Sequence, residues 1–467
     1  MPEPHSNALA PCAVALDLGS TRFKLGAIDP AGQLIVVESF AAPQLSGSGI
    51  IREGMPGEFL EKATKLLARA QQLFQDLPLA LVCQRSTFLL WDRDTGEALT
   101  PVVSWQDRRA DHWCQSHARA GADITRQTGL LLSPHYAGPK LAAMLMEDPI
   151  LAKRLQNGRV LFGNLDTWLA WHWSGGLVHR TDVTMAARTA MFNIEKGIWS
   201  ASLLERYNVP QSLLPQVDTS YQKPFELPGG LRWQGSIADQ AASVSSVVSP
   251  EGEETLINLG TGTFVMRRVS GPEVRVPGYL TGPVLAQDDN VSYAIEGTIN
   301  GAGPAIDSFG KGPTQLPTDD PHPEAFMIPD RSGYGAPLWR ADVGLTLSPA
   351  AERLMVEQQR LICIEGLLFR IFEILQDLGQ REAPQRLIIS GGLAADQAIA
   401  GGLATLTGQS IIRLAEAETT LLGAARLAAG FELFKKAFAD WVEPGASGVY
   451  LSEKYVRWQV WRDSILS

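Results

Sequence analysis

The sequence lacks the features that mark a protein of nucleic acid or membranes. It has no Lys/Arg run and no basic tail, and its formal net charge is −10. A surface of that sign disfavours polyanionic partners and anionic bilayers. Phosphate binding stays open, because backbone N–H groups and one metal ion can hold phosphate on an acidic protein. A long uncharged stretch, Gln397 to Ile412, is rich in Gly, Thr and Gln and is short for a membrane span. The opening residues, MPEPHSNALAPC, show no basic start followed by an apolar run, so they do not read as a secretory signal. Cysteine is scarce. Cys12, Cys83, Cys114 and Cys363 have neither CxxC spacing nor nearby His clusters, and read as buried free thiols rather than metal ligands or disulfides. These absences predict a cytoplasmic protein without nucleic-acid or membrane partners; a homodimer remains open.

What is present belongs to a globular α/β protein. The hydrophobic fraction is 45% and the charged fraction 19%, as in ordinary folded chains. A chain of 467 residues exceeds one ordinary core, which predicts two domains of roughly 200 residues each. Val14 to Leu18 reads as a buried strand, followed by a Gly-Ser-Thr turn and a hairpin partner from Phe23; Leu34 onward continues the sheet. Glu58 to Leu77 has apolar residues at helical spacing. Leu79 to Cys83 and Val160 to Phe162 are short apolar runs of the kind found in central parallel strands. Met355 to Leu375 and Thr419 to Leu433 are helical in pattern. Pro-rich sequence at Gln222 to Gly230 places a domain boundary there, giving halves of 1–230 and 231–467. LDLGST at Leu16 to Thr21 lines up with INLGTG at Ile257 to Gly262, each a strand and a tight glycine turn. Six residues can match by chance, but the match is also what two facing halves of similar fold would give.

Phosphoryl transfer needs positioned phosphates, a divalent metal and a group that orients and deprotonates the acceptor. Asp17 ends a predicted strand and is followed by backbone amides and two hydroxyls; a carboxylate there suits Mg²⁺ held largely through water. Alone, the same sequence is an ordinary hairpin turn. Gly260-Thr-Gly-Thr offers a second phosphate turn, and Gly391-Gly392 a strand end open to a flat nucleoside. Asp239, in Ile237-Ala-Asp-Gln, reads either as a helix N-cap or as the base that takes the acceptor proton.

These motifs occur in the order of a known family. The chain resembles the FGGY carbohydrate kinases, as a glycerol-kinase-like member, through ALDLGSTRFK at Ala15, VVSWQDRRA at Val102, NLDTWLAWHW at Asn164, GSIADQAASV at Gly235, NLGTGTF at Asn258, YAIEGTINGAG at Tyr293, SGYGAPLW at Ser332, ISGGLAAD at Ile389 and ETTLLGAA at Glu418. The resemblance implies two actin-like (ribonuclease H-like) domains with the active site in the cleft between them, and ATP with Mg²⁺ as cosubstrate and metal. It implies Asp17 beside the metal, and Thr21, Lys24, Thr261, Gly303, Gly392 and Asp396 at the nucleotide, with Asp396 standing where the family has Asn. Asp239 is implied as the catalytic base. Arg85, Ser86, Trp105, His135, Asp239, Gln240 and Phe264 are implied around the acceptor, a small sugar or polyol. Glycerol kinases carry Arg-Glu where this chain has Arg85-Ser86, and tyrosine where it has His135. Losing a buried acceptor from such a site changes selectivity strongly, so a ketose or polyol of about four or five carbons is expected ahead of glycerol. Glycerol itself, or a catalytically silent sugar-binding regulator on the same fold, are the alternatives.

Overall fold

The computed structural model describes residues 10–227, 229–248, 254–310, 312, 314–379, 386–416, 418–430 and 439–467. Two sheets carry the architecture. The first contains β1 (Ala13–Leu18), β2 (Arg22–Ile28), β3 (Leu34–Ala41), β4 (Pro78–Cys83), β5 (Tyr221–Glu226) and β6 (Arg232–Ala238), in the order β5-β6-β4-β1-β2-β3. β1, β2 and β3 form an antiparallel meander, while β4 lies parallel to β1, and β6 parallel to β4. Every residue of β1 is buried, which explains its unbroken apolar run. Helix α1 (Pro56–Leu73) covers one face with Phe59, Ala63, Leu66, Leu67 and Ala70, the predicted stripe at helical spacing.

After helix α2 (Asp239–Val247) comes the second sheet. It contains β7 (Glu254–Leu259), β8 (Thr263–Val269), β9 (Leu280–Gln287), β10 (Asn290–Ile299), β11 (Arg386–Ser390), β12 (Ile411–Leu414) and β13 (Ala439–Val442), in the order β9-β10-β8-β7-β11-β12-β13. β7 and β8 are antiparallel, β7 and β11 parallel, as are β11 and β12. The segment β10-β8-β7-β11-β12 thus repeats β3-β2-β1-β4-β6 strand for strand. The short match of LDLGST to INLGTG marks a real structural duplication, with each glycine turn beside the centre of its own sheet. Helix α3 (Val356–Gly379) follows the Met355–Leu375 pattern, and α4 (Gln397–Thr407) with β12 takes up the uncharged stretch. No helix among the described residues is long and apolar enough to cross a membrane.

The expected boundary near Gly230 falls between β5 and β6, which pair in the first sheet; Tyr221–Glu226, the strand part of the Pro-rich region, lies at the sheet edge, where proline is tolerated. Two sequence-based placements move. Val160–Asn164 is not a central parallel strand but pairs antiparallel with Phe88–Asp92 at the edge of a separate five-stranded sheet. A short apolar run fixes burial, not its neighbours. Helix α5 (Thr419–Ala428) ends before the predicted Leu433, and 431–438 lie outside the described residues.

Helix α5 leaves the second sheet and packs on α2 and on β1 of the first. A Cβ on Gly423 would sit 2.2 Å from the Ala242 carbonyl oxygen, so only glycine permits this crossing. In α4 a Cβ on Gly401 would meet nothing within 4 Å. Gly423→Ala is therefore expected to destabilise by about 1–3 kcal/mol through overpacking. Gly401→Ala is expected to stabilise by about 0.5–1 kcal/mol, the ordinary helical gain. Thermal unfolding of both variants checks the opposite signs.

Candidate active site

Asp17 sits near the end of β1, buried, with Oδ2 accepting from Thr420 Oγ1 at 3.0 Å. Burial pushes its pKa up to about 7 against the pull of Lys24. Lys24, on β2, pairs with Glu418, and Ser243 of α2 meets Thr419. The Glu418-Thr419-Thr420 start of α5 thus holds Asp17 and Lys24 of the first sheet and Ser243 of α2. Thr21 is exposed in the β1–β2 turn, its carbonyl accepting from Ala42 N at 3.0 Å.

The equivalent turn after β7 is backed by close backbone packing. Gly303 N donates to the exposed Thr261's carbonyl at 3.3 Å, and a Cβ on Gly303 would lie 2.5 Å from the Gly260 oxygen. Gly391 has φ +91°, and its Cβ would clash with the Leu259 carbonyl at 2.5 Å, whereas Gly392 faces open space. Gly391 therefore makes the turn and Gly392 leaves it uncovered. Asp396 is differently employed. It caps α4 through Ala398 N at 2.9 Å and pairs with Arg360 at 2.8 Å, which accounts for an acidic side chain at that position.

Asp239 opens α2. Its position is built from below: the Asp182 carboxylate accepts from the Thr184 hydroxyl, which accepts in turn from Ala238 N at 2.8 Å. The N-cap reading does not hold. Ala238 occupies the cap, and Asp239 Oδ1 accepts from Gln240 N at 2.8 Å and lies 3.2 Å from Arg85 Nε. Burial raises the Asp239 pKa, with Arg85 opposing. Gln240 Oε1 accepts from Asn258 Nδ2 at 3.3 Å, joining α2 to β7.

On the acceptor side Arg85 follows β4, with its guanidinium carbon 5.6 Å from the centre of the Phe264 ring. Trp105 and His135 stand 5.4 Å apart, forming an aromatic wall. Burial, then Lys140, Arg85 and Arg188, keeps His135 well below its usual pKa. Ser86 has φ +61°, is buried, and donates to the Arg188 carbonyl at 3.0 Å; its hydroxyl ties two loops together. Two residues, Glu296 and Arg188, escaped the sequence reading. Glu296 of β10 accepts from Arg85 Nη1 and Nη2 at 2.7 and 3.1 Å and also pairs with Arg188. Burial opposes its charge, but Arg188 and Arg85 prevail and hold its pKa at about 2. The available signal was a lone carboxylate inside an apolar strand.

Set beside known proteins, the chain matches the N-terminal domain of the FGGY family of carbohydrate kinases over residues 12–228 and the C-terminal domain over 255–430. It belongs to that family. It is 29% identical to an apulose kinase of Pectobacterium atrosepticum, over 96% of this chain and 97% of that one. It is 31% identical to a glycerol kinase of Alcanivorax borkumensis, over 85% and 84%. A xyloylose kinase from Brucella ovis superposes with TM-score 0.83 at 19% identity, over 97% and 99%. Plasmodium falciparum glycerol kinase with ADP gives 0.78 at 20%, over 97% and 98%. The fold is accordingly the two-domain actin-like one, and the protein is an ATP-dependent kinase of a small sugar or polyol.

Lys140 lies under the aromatic wall, donating to the Ser104 carbonyl at 2.6 Å. Burial lowers its pKa to about 7, against Asp107. Between pH 7 and 10 the unfolded chain therefore binds a proton at this lysine that the folded one does not, so its contribution to stability rises with pH. Relative to Lys140→Met, the wild type should gain stability across that window. Denaturant unfolding at pH 7, 8.5 and 10 checks this; a constant difference would remove Lys140 as the cause.

Proposed function

We propose that the acceptor is an uncharged ketose or polyol, of about four or five carbons, and that Asp239 is the base for its phosphorylation. The observation that carries the reading is the charge balance around Asp239. Arg85 and Arg188 face Glu296 and Asp239, two cations against two carboxylates, and His135 is held neutral. A charged acceptor would break that balance without a counter-ion, at a high desolvation cost. Ser86 offers no carboxylate to a short triol, which supports a larger acceptor than glycerol. Trp105, His135 and Phe264 are assigned to the carbon skeleton, with Arg85, Ser86 and Gln240 on the polar side of the same pocket.

Because Gln240 N and Arg85 Nε both engage Asp239 Oδ1, we assign Oδ2 to the acceptor hydroxyl. In a loose transition state that hydroxyl sheds its proton late, so Oδ2 orients the oxygen first and takes the proton as the new P–O bond forms and ADP leaves. Thr21, Lys24, Thr261, Gly303 and Gly392 are assigned to the nucleotide, and Asp396 acts there only through the helix it caps. Asp17 fits Mg²⁺. It is a single buried carboxylate, and among the described residues no cluster of three or more acidic, His or Cys side chains forms a protein cage. That donor set suits an ion held mainly by water and phosphates; when bound, it would neutralise charge developing on the phosphates. The four free cysteines, two of them buried, agree with a cytoplasmic location.

Asp239→Asn should lower kcat by a factor of at least roughly 10² with ADP affinity nearly unchanged; steady-state kinetics with calorimetric ADP binding decides. In a turnover panel of glycerol, erythrulose, xylulose, apulose and gluconate, a neutral ketose should give the highest kcat/KM. Gluconate or glycerol in first place would refute the charge-balance reading or the reading of Ser86, respectively.

A further inference from the structure

We propose that Glu296 is a positioning residue for phosphoryl transfer: it sets the orientation of Arg85 and, through Arg85, leaves Asp239 Oδ2 free for the acceptor. The inference rests on the reading of Asp239 as the base. A guanidinium is a rigid planar fork, so fixing its two terminal nitrogens fixes the direction of the third. Here each terminal nitrogen of Arg85 places one N–H on a different oxygen of Glu296, at 2.7 and 3.1 Å. With the fork held end-on by Glu296, the nearest approach of Arg85 to the catalytic carboxylate is Nε to Oδ1, at 3.2 Å. The Phe264 ring beneath the guanidinium limits its rotation.

Glu296 belongs to the second sheet, whereas Arg85 follows β4 of the first and Arg188 lies in the one-turn helix Ala187–Thr189. Side-chain exposures of 6, 13 and 12% for Glu296, Arg85 and Arg188 make this a nearly dry ion triad. In such surroundings an unpaired charge is costly and a neighbouring carboxylate becomes the obvious substitute partner. Without the charge on Glu296, the two arginines repel, and Asp239 is the carboxylate within Arg85's reach. Its fork would then turn onto Asp239 and occupy both oxygens, masking the atom that receives the acceptor proton. Glu296 thus keeps a strong cation close to the base without letting it cap the base.

Steady-state turnover with the best acceptor of the panel, beside calorimetric ADP binding, tests this on the full-length protein. Glu296→Gln should lower kcat by roughly 10²-fold, with ADP affinity within about threefold of wild type. A contact that merely held the two halves together would weaken ADP binding in parallel. The single amide carbonyl left by Glu296→Gln is contested by two arginines, so adding Arg188→Gln should return it to Arg85. The double variant should then recover roughly tenfold over Glu296→Gln alone, a non-additive result. Unchanged kcat in Glu296→Gln, or strictly additive losses in the double variant, would overturn the proposal. If Glu296→Gln fails to bind ADP, Glu296→Asp decides. It keeps the charge but is one methylene shorter, and should lose kcat roughly tenfold with ADP binding intact; wild-type kcat there would equally overturn it. An active Asp239→Asn would instead refute the base assignment, whatever Glu296 does.

Discussion

Everything at this site hangs on the crossing of two helices, α2 and α5, at which the backbone of Ala242 meets Gly423. Helix α2 begins with Asp239, and α5 begins with the Thr419-Thr420 pair that reaches Ser243 and Asp17. Widening the crossing by one methyl group would move both helix starts relative to β1. Asp17 and Asp239 are thereby fixed to one another through backbone packing, not through a flexible side-chain contact. Close-packed interiors transmit such displacements instead of absorbing them. Catalytic groups must be held to within a fraction of an ångström of their productive positions, and a backbone-to-backbone crossing with no room for a methyl group supplies that rigidity.

The electrostatics follow from that frame. Burial raises the pKa of Asp17 against the pull of Lys24, which also pairs with Glu418. At the other end of the site Glu296 is held ionised by two arginines, while burial raises the pKa of Asp239 with Arg85 opposing. The two sides are thus built for different visitors. The first is short of positive charge, which suits a site where a metal ion accompanies the phosphates. The second, in the proposed reading, is balanced in charge and selects among uncharged acceptors by shape and hydrogen bonding, the terms that distinguish one polyol from another.

What the sequence made legible was local. Strand-turn-strand units such as Leu16 to Thr21 carry their own pattern, and the amphipathic stripe of α1 is written at its own spacing. The duplication could be suspected from six residues, because both hairpins need the same buried strand and the same glycine turn. What stayed hidden depends on distant partners. Nothing within Arg232–Ala238 says that it pairs with β4, far back in the chain at Pro78–Cys83. The pairing of Asp396 with Arg360 and its cap on α4 are likewise set by residues distant in sequence or by the helix start itself. Glu296 had no local signal beyond a carboxylate flanked by apolar residues, since its partners Arg85 and Arg188 lie in another part of the chain. Ser86 was legible as a substitution but not as a conformation. Its left-handed backbone and its bond to Arg188 emerge only when the two loops meet.

The duplication does not make the two halves alike at the site. Each sheet supplies one glycine turn beside its central strand, and a turn of that kind can hold phosphate oxygens but cannot distinguish donor from acceptor. The asymmetry is added by what the two copies do not share. The first carries the inserted segments that bring Trp105, His135 and Arg188, while the second carries Glu296 on β10 and sends α5 back across to Asp17. Each half therefore completes the other's chemistry with a single side chain set: Thr420 and Glu418 on the phosphate side, Glu296 on the acceptor side. Two copies of one binding turn become a directional enzyme because their cross-contacts are different.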